Sequence, residues 1–359
     1  MRSLACLVLV ATASTAWARS VTCEPDGTAT ICPGSPDPCF RVGPCALGCS
    51  ATDGCLVPSN VSPSFLDGGG DLTVPALDVA WRVSTDDGSI VRADGGMVRL
   101  AGPLDPQNGT RFDVEAQPDG GGLVGVLSVG QFTVAAGAKV EATGALPLVI
   151  RASGPIIVQG TIDVGAVFDQ AGPGGFSGGS PGKDGQGPGG GLVGPLGTEG
   201  CEHLCSAGSS GAGFGAAGGL GGGITLGSGL LDGGPVNFPA TPAGQPYGTA
   251  SLSPLIGGSG GAGGVFPGNY TSGSAGLNPA PGRGGGGGGA LQLVSQVSIT
   301  VATGGVVTAP GGGGGGCISA GGAAGGSGGA LLFEAPFISV EVGAVIAANG
   351  GGGGAADCT

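Results

Sequence analysis

Glu141 and Asp163 come closest, by type and spacing, to a pair that could do chemistry. They occupy equivalent places in neighbouring copies of a repeat, and stacked residues in a sheet lie about 4.8 Å apart. Carboxyl groups roughly 5 Å apart are the spacing of a retaining glycosidase. Lys139, two residues before Glu141, could act beside them as a base or a substrate clamp. A polysaccharide-active enzyme built on Glu141 and Asp163 is therefore one alternative. Against it, the next copies carry Thr308 and Ala347 at that place, and Phe168 is the one aromatic nearby that could stack on a sugar ring. Outward carboxylates on an acidic protein usually form a solvated surface, so no catalytic residue is assigned.

Other clusters are weaker. Cys201-Glu202-His203-Leu204-Cys205 holds the only histidine, and two thiolates with one imidazole lack the fourth ligand of a structural zinc site. Asp86, Asp87 and Asp94 could be read as calcium ligands, but they sit in DDG and DGG sequences, where aspartate serves turns through local hydrogen bonds. No metal and no cofactor is assigned. Thr133, Ile157, Thr300 and Ser339 would form an outward row matching an ice or crystal lattice, a further alternative that Ile157 interrupts.

The elements that must position these residues are repeats. FTVAAGAKVEA (132–142), ITVATGGVVTA (299–309) and ISVEVGAVIAA (338–348) align without a gap, and IIVQGTIDV (156–164) is a copy shortened by two residues at its turn. Three copies are preceded by a matching strand, LVIRA, LQLVS or LLFEA. Each unit alternates apolar and polar residues with period 2, which predicts three short strands with one apolar set turned inward. Gly137, Gly304 and Gly343 mark a corner that needs positive φ. One unit cannot bury its face alone, whereas stacked units share a core. The expected fold class is all-β, a right-handed parallel β-helix (solenoid) with long glycine-rich loop insertions and a small N-terminal disulfide-rich module.

Along the chain, an arginine, an apolar run from Leu4 to Ala13 and Ala16-Trp17-Ala18 predict a signal peptide over 1–18, removing Cys6. The ten remaining cysteines fit an oxidising compartment, and the expected location is secreted, extracellular or at the cell surface. Residues 19–59 form a module in which Cys23, Cys32, Cys39, Cys45, Cys49 and Cys55 replace a core by disulfides, with fifteen connectivities open. Residues 60–122 read as a β-rich entry and capping domain. Residues 123–359 carry the repeats, with a large glycine-rich insertion at 165–289. The repeat alignment pairs Cys317 with Cys358, leaving Cys201 with Cys205.

The chain has 88 glycines in 359 residues and a formal charge of -13. That charge argues against nucleic acid as a partner, and no segment after the signal peptide is long and apolar enough for membrane insertion. The broken triplet after Gly185 argues against collagen. Scattered apolar residues in the insertion, among them Phe176, Phe214, Tyr247, Leu255, Phe266 and Tyr270, predict ordered loops docked against the repeats.

The runs FTVAAGAKVEATGALPLVI, ASGPIIVQGTIDV, SPLIGGSGGAGG, GGGALQLVSQVSITV and GGALLFEAPFISV resemble an uncharacterised family of secreted, glycine-rich bacterial proteins with a cysteine-rich start. The resemblance covers roughly residues 60–359 and brings no activity with it. It also implies one more strand after the final glycine run, so an incomplete C terminus is expected at Thr359. The expected function is that of a secreted or cell-surface, non-enzymatic structural or adhesive protein whose glycine-rich loops make the contacts. An extracellular glycan or another cell-surface component is the expected partner.

Overall fold

The computed structural model describes residues 20–25, 28–32, 38–43, 45–50, 54–63, 69–76, 80–118, 120–195, 207–226, 236–265, 282–318 and 321–357. The signal-peptide reading over 1–18 lies outside them, as do Cys201, His203, Cys205, Phe266, Tyr270 and Cys358. Every regular element among the described residues is a strand. The chain divides into two compact units, Met1–Val57 and Pro58–Thr359.

In the first unit Ser20–Cys23, Ala29–Cys32 and Phe40–Val42 form an antiparallel sheet, beside a short pair of Cys49–Ser50 and Gly54–Cys55. Three disulfides, Cys23–Cys49, Cys32–Cys39 and Cys45–Cys55, join its six cysteines. Among its described residues only Ala29, Ile31 and Leu47 are buried apolar residues. So small a core leaves covalent links to hold the module, and disulfides of this kind belong to an oxidising, extracellular environment.

The second unit is organised by three sheets. Leu123–Val129, Leu148–Ala152, Ala290–Ser295 and Ala330–Glu334 lie parallel in the first, with Arg111–Ala116 antiparallel at its edge. Leu72–Val74, Phe132–Val134, Ile156–Val158, Ile299–Val301 and Ile338–Val340 make the second, wholly parallel. Trp81–Ser84, Lys139–Thr143, Thr161–Asp163, Val306–Thr308 and Val345–Ala347 lie parallel in the third, which the antiparallel strands Ile90–Arg92 and Met97–Arg99 extend. Repeat positions face one another directly: Phe132, Ile156, Ile299 and Ile338 are register partners along one row. The corner glycines Gly137, Gly304 and Gly343 take φ values of 80°, 81° and 88°, a region open to glycine because a Cβ would clash there.

The expected right-handed parallel β-helix is not what forms. The strands make separate sheets of five, five and seven members, two of them mixed, and no closed solenoid results. The physical reason lies after Thr161–Asp163, Val306–Thr308 and Val345–Ala347. There the chain does not turn directly into the next sheet, as residues 144–147 do after Lys139–Thr143; it leaves for a glycine tract that packs as a layer of its own, and at the entry end antiparallel strands take the edges of two sheets.

In that layer, hydrogen bonds recur every third residue. Gly258, Gly261 and Gly264 donate to the carbonyls of Gly288, Gly285 and Gly282. Gly257, Gly260 and Gly263 donate instead to Gly174, Gln186 and Lys183. Ser259 and Ala262 turn to a third set of neighbours, Ser327 Oγ and the Ser210 carbonyl. A backbone with three residues per turn, like polyproline II, points successive N–H groups at three different neighbours. Side chains are excluded by contact: a Cβ on Gly178 would sit 1.8 Å from the Gly284 oxygen. Residues 257–265 are buried throughout, so this stretch of the insertion packs as a backbone core. Leu255 anchors it, fully buried, and Phe214 meets Tyr247 edge-on at 5.0 Å. Tyr247 donates to the Gly257 carbonyl and accepts from Ser259 Oγ, while burial pushes its pKa up to about 12.

The apolar core runs between the three sheets and contains Phe132, Val134, Ile156, Val158, Ile299 and Val301. Burial stops at the last repeat. Ile338 and Val340 are 47% and 50% exposed, whereas Ile299 and Val301 in the preceding unit are wholly buried.

Candidate functional site

The third sheet turns alternate residues outward, and its register sets one row across five strands. Arg82 is partnered by Glu141, Glu141 by Asp163, Asp163 by Thr308 and Thr308 by Ala347. The two carboxylates picked out from the repeat alignment are therefore adjacent, and a cation fills the space beside them. Lys139 Nζ lies 2.9 Å from Glu141 Oε1 and 3.2 Å from Asp163 Oδ2. Arg82 Nε donates to Glu141 Oε2 at 3.0 Å. The second Asp163 oxygen accepts from the Gly165 N–H at 3.0 Å.

These contacts decide the protonation states. The hydrogen bond from Lys139, with a further one from Arg82, holds the Glu141 carboxyl below the usual glutamate range against the opposing effect of partial burial. Lys139 is held above the usual lysine range, chiefly by the same bond to Glu141. A charged donor favours the ionised carboxylate and a carboxylate favours the ammonium, so both stay charged at neutral pH.

Arg82, Glu141 and Asp163 of this row line a cleft of about 920 Å³. Its wall is the segment that leaves the third strand after Val164. Val167 and Gln170 exchange two backbone hydrogen bonds, each 3.0 Å, closing a tight turn with Phe168 and Asp169 at its tip. Phe168 holds φ at 54° and is 82% exposed. Positive φ is uncommon for a bulky side chain and persists where surroundings enforce it; here the Phe168 carbonyl accepts from the Gly286 N–H, tying the tip to the glycine layer. Arg283 fastens the same tip from the other side through Asp169, at 2.9 Å. Asp86 also lines the cleft, with one oxygen accepting from the Ala145 N–H at 2.8 Å.

Arg82 is a residue that sequence reasoning missed, and Asp86, weighed there only as a calcium ligand or turn residue, lines this cleft. The signal was present, since LTV at 72–74 has the pattern of FTV at 132–134, and Leu72 is the register partner of Phe132. Reading residues 60–122 as a capping domain hid the fact that they supply a further row to the same two sheets.

The other readings fall in separate places. Asp87 accepts from the Ser89 N–H and hydroxyl, and Asp94 accepts from the Gly96 N–H and pairs with Arg92, so both serve turns. Among the described residues no group of three or more His, Cys, Asp or Glu could hold a metal. Thr133, Ile157, Thr300 and Ser339 do form a row, which Thr73 extends, and Ile157 sits in its middle. Cys317 is opposite Ala356, while its expected partner Cys358 lies outside the described residues, as do Cys201 and Cys205. A second cavity, of about 500 Å³, opens in the glycine layer among Gly211, Phe214, Gly219, Ser327 and Gly351 and carries no titratable side chain. No described helix is long and apolar enough to cross a membrane.

No family model, curated protein or solved structure matches the chain.

Proposed function

We propose that this is a secreted or cell-surface adhesive protein that holds an extracellular glycan, without cleaving it, in the cleft between the third sheet and the Phe168 turn. The observation that carries the reading is Phe168 itself. A large apolar ring costs free energy when left in water, on the order of 1.5–3 kcal/mol for a side chain that could be buried, yet this one is held out by a turn fastened on two sides. Beside it lie carboxylates, a lysine and an arginine that can accept from or donate to hydroxyl groups. An apolar platform next to convergent polar groups is the make-up of a small-ligand site, and sugar rings present one apolar face with polar edges.

The same geometry speaks against hydrolysis by Glu141 and Asp163. A retaining or inverting glycosidase needs one carboxyl that stays protonated near neutral pH. Glu141 is shifted the opposite way. Both carboxylates are held by the one ammonium of Lys139.

A glycan array screened with the mature chain tests the reading, followed by titration of hits with Phe168→Ala. Binding that drops by about tenfold or more in the variant, at unchanged melting temperature, is expected from losing one stacking platform. Failure of the wild-type chain to bind any glycan ends the proposal.

A further inference from the structure

The charges around the Phe168 turn narrow the ligand, on the premise that the cleft binds glycan at all. Four carboxylates line the cleft, Asp86, Glu141, Asp163 and Asp169, against two cations, Arg82 and Lys139. Lys139 is shared between Glu141 and Asp163, and Arg82 is bonded to Glu141. The cations that could have met an anionic sugar are therefore already engaged, and the lining carries two net negative formal charges, one of them, on Asp169, paired with Arg283 outside the lining. The whole chain, these residues included, carries a formal charge of -13. An acidic sugar would meet like charge from both, and like-charge placement at an interface rejects a partner more strongly than attraction selects one.

Hydroxyl groups meet the opposite situation. Asp86 uses one oxygen for the Ala145 N–H and Asp169 uses one for Arg283, leaving the second oxygen of each as an acceptor in the cleft that Phe168 also lines. An ionised carboxylate accepts from several donors at once. A pyranose with equatorial substituents suits this arrangement, because its axial C–H groups form a flat apolar face for the ring while its hydroxyls project sideways at the level of the carboxylates.

We infer that the cleft takes a neutral glycan of equatorially substituted pyranoses, of the β-linked glucan or xylan kind, and rejects polyuronates. Ionic strength therefore has little effect on binding, since neutral ligands gain nothing from the field that salt screens.

Titration calorimetry of the full chain against cellohexaose, xylohexaose and hexagalacturonate decides this. Expected is binding of at least one neutral hexamer, changed by less than about twofold between low and physiological salt. Phe168→Ala should weaken it by about tenfold or more, and Phe168→Trp, which keeps a stacking face, should retain it. Hexagalacturonate should give no heat of binding. Tighter binding of hexagalacturonate than of the neutral hexamers overturns the inference and leaves the glycan reading standing. Neutral binding that Phe168→Ala does not change overturns it as well, by moving the site elsewhere. No binding of any hexamer, joined to a blank glycan array, removes the glycan reading itself.

Discussion

Val134, Val301 and Val340 hold one position of the repeat, and the structure predicts that aspartate there is ruinous at two of them and mild at the third. Val134 and Val301 are wholly buried, while Val340 in the last repeat is 50% exposed. At a buried position the carboxyl has no partner and escapes charge only by binding a proton. Burial shifts of about 3–5 pKa units, at 1.36 kcal/mol each, make that cost roughly 4–7 kcal/mol. Losing the valine from the core adds about 1.5–3 kcal/mol. The sum rivals the whole stability of an ordinary domain, about 5–15 kcal/mol, so Val134→Asp and Val301→Asp should fail to fold or melt far below wild type. At Val340 the carboxylate stays in water and only about half the burial is lost, near 1 kcal/mol, or about 2–4 °C in melting temperature for a unit of this size. Thermal melts followed by the far-ultraviolet circular dichroism of the β-sheets give the comparison. Equal damage at Val301 and Val340, or none at Val301, would refute the burial argument.

Two further outcomes test other layers of the molecule. Gly178→Ala would place its Cβ 1.8 Å from a backbone oxygen and should destabilise by about 1–3 kcal/mol or more, whereas Gly215→Ala, with no atom within 4 Å, should change stability by less than about 0.5 kcal/mol; paired urea titrations measure both, and similar midpoints would show that the glycine layer is not close-packed. Glu141 has its carboxyl held low, so its bond to Lys139 contributes stability that is fully present above the ordinary glutamate range and is lost as pH falls through the lowered value. Because both side chains are partly exposed, that contribution is below about 1 kcal/mol, and the gap between wild type and Glu141→Gln in urea should close on acidification; a gap that widens in acid would reverse the assigned shift.

Those predictions separate what was legible in the sequence from what was not. Strand register was legible because period-2 apolar patterning leaves a side-chain record: Val140, Ile162, Val307 and Ile346 align on paper and are partners in the sheet. The placement of Glu141 beside Asp163 came with it, since a register fixed by inward residues fixes the outward ones as well. The first row escaped notice because Trp81 and Arg82 share the alternation of the later copies but little of their composition. The difference between Val301 and Val340 was invisible for another reason: burial belongs to the neighbour stacked outside a strand, and identical sequences at the middle and the end of a stack differ only in having one.

How the glycine tracts pack was not legible for a deeper reason. Sequence periodicity is a pattern of side chains, and a segment that packs through its backbone has none to display. What repeats in residues 257–264 is the direction of the N–H group, with a period of three, toward three different neighbours in turn. Glycine meets that requirement for two separable causes, free adoption of the extended three-residue conformation and the absence of a Cβ where a carbonyl oxygen lies within about 2 Å. The entropy cost of ordering glycine favours a flexible chain when each segment is weighed alone. Ordered, each segment bonds to neighbours on several sides, so the cost is offset by the array as a whole and not by any one strand. Such a layer also offers a rigid wall that needs no apolar face. It is this wall, through the bond between the Gly286 N–H and the Phe168 carbonyl, that fixes the one exposed ring at the cleft.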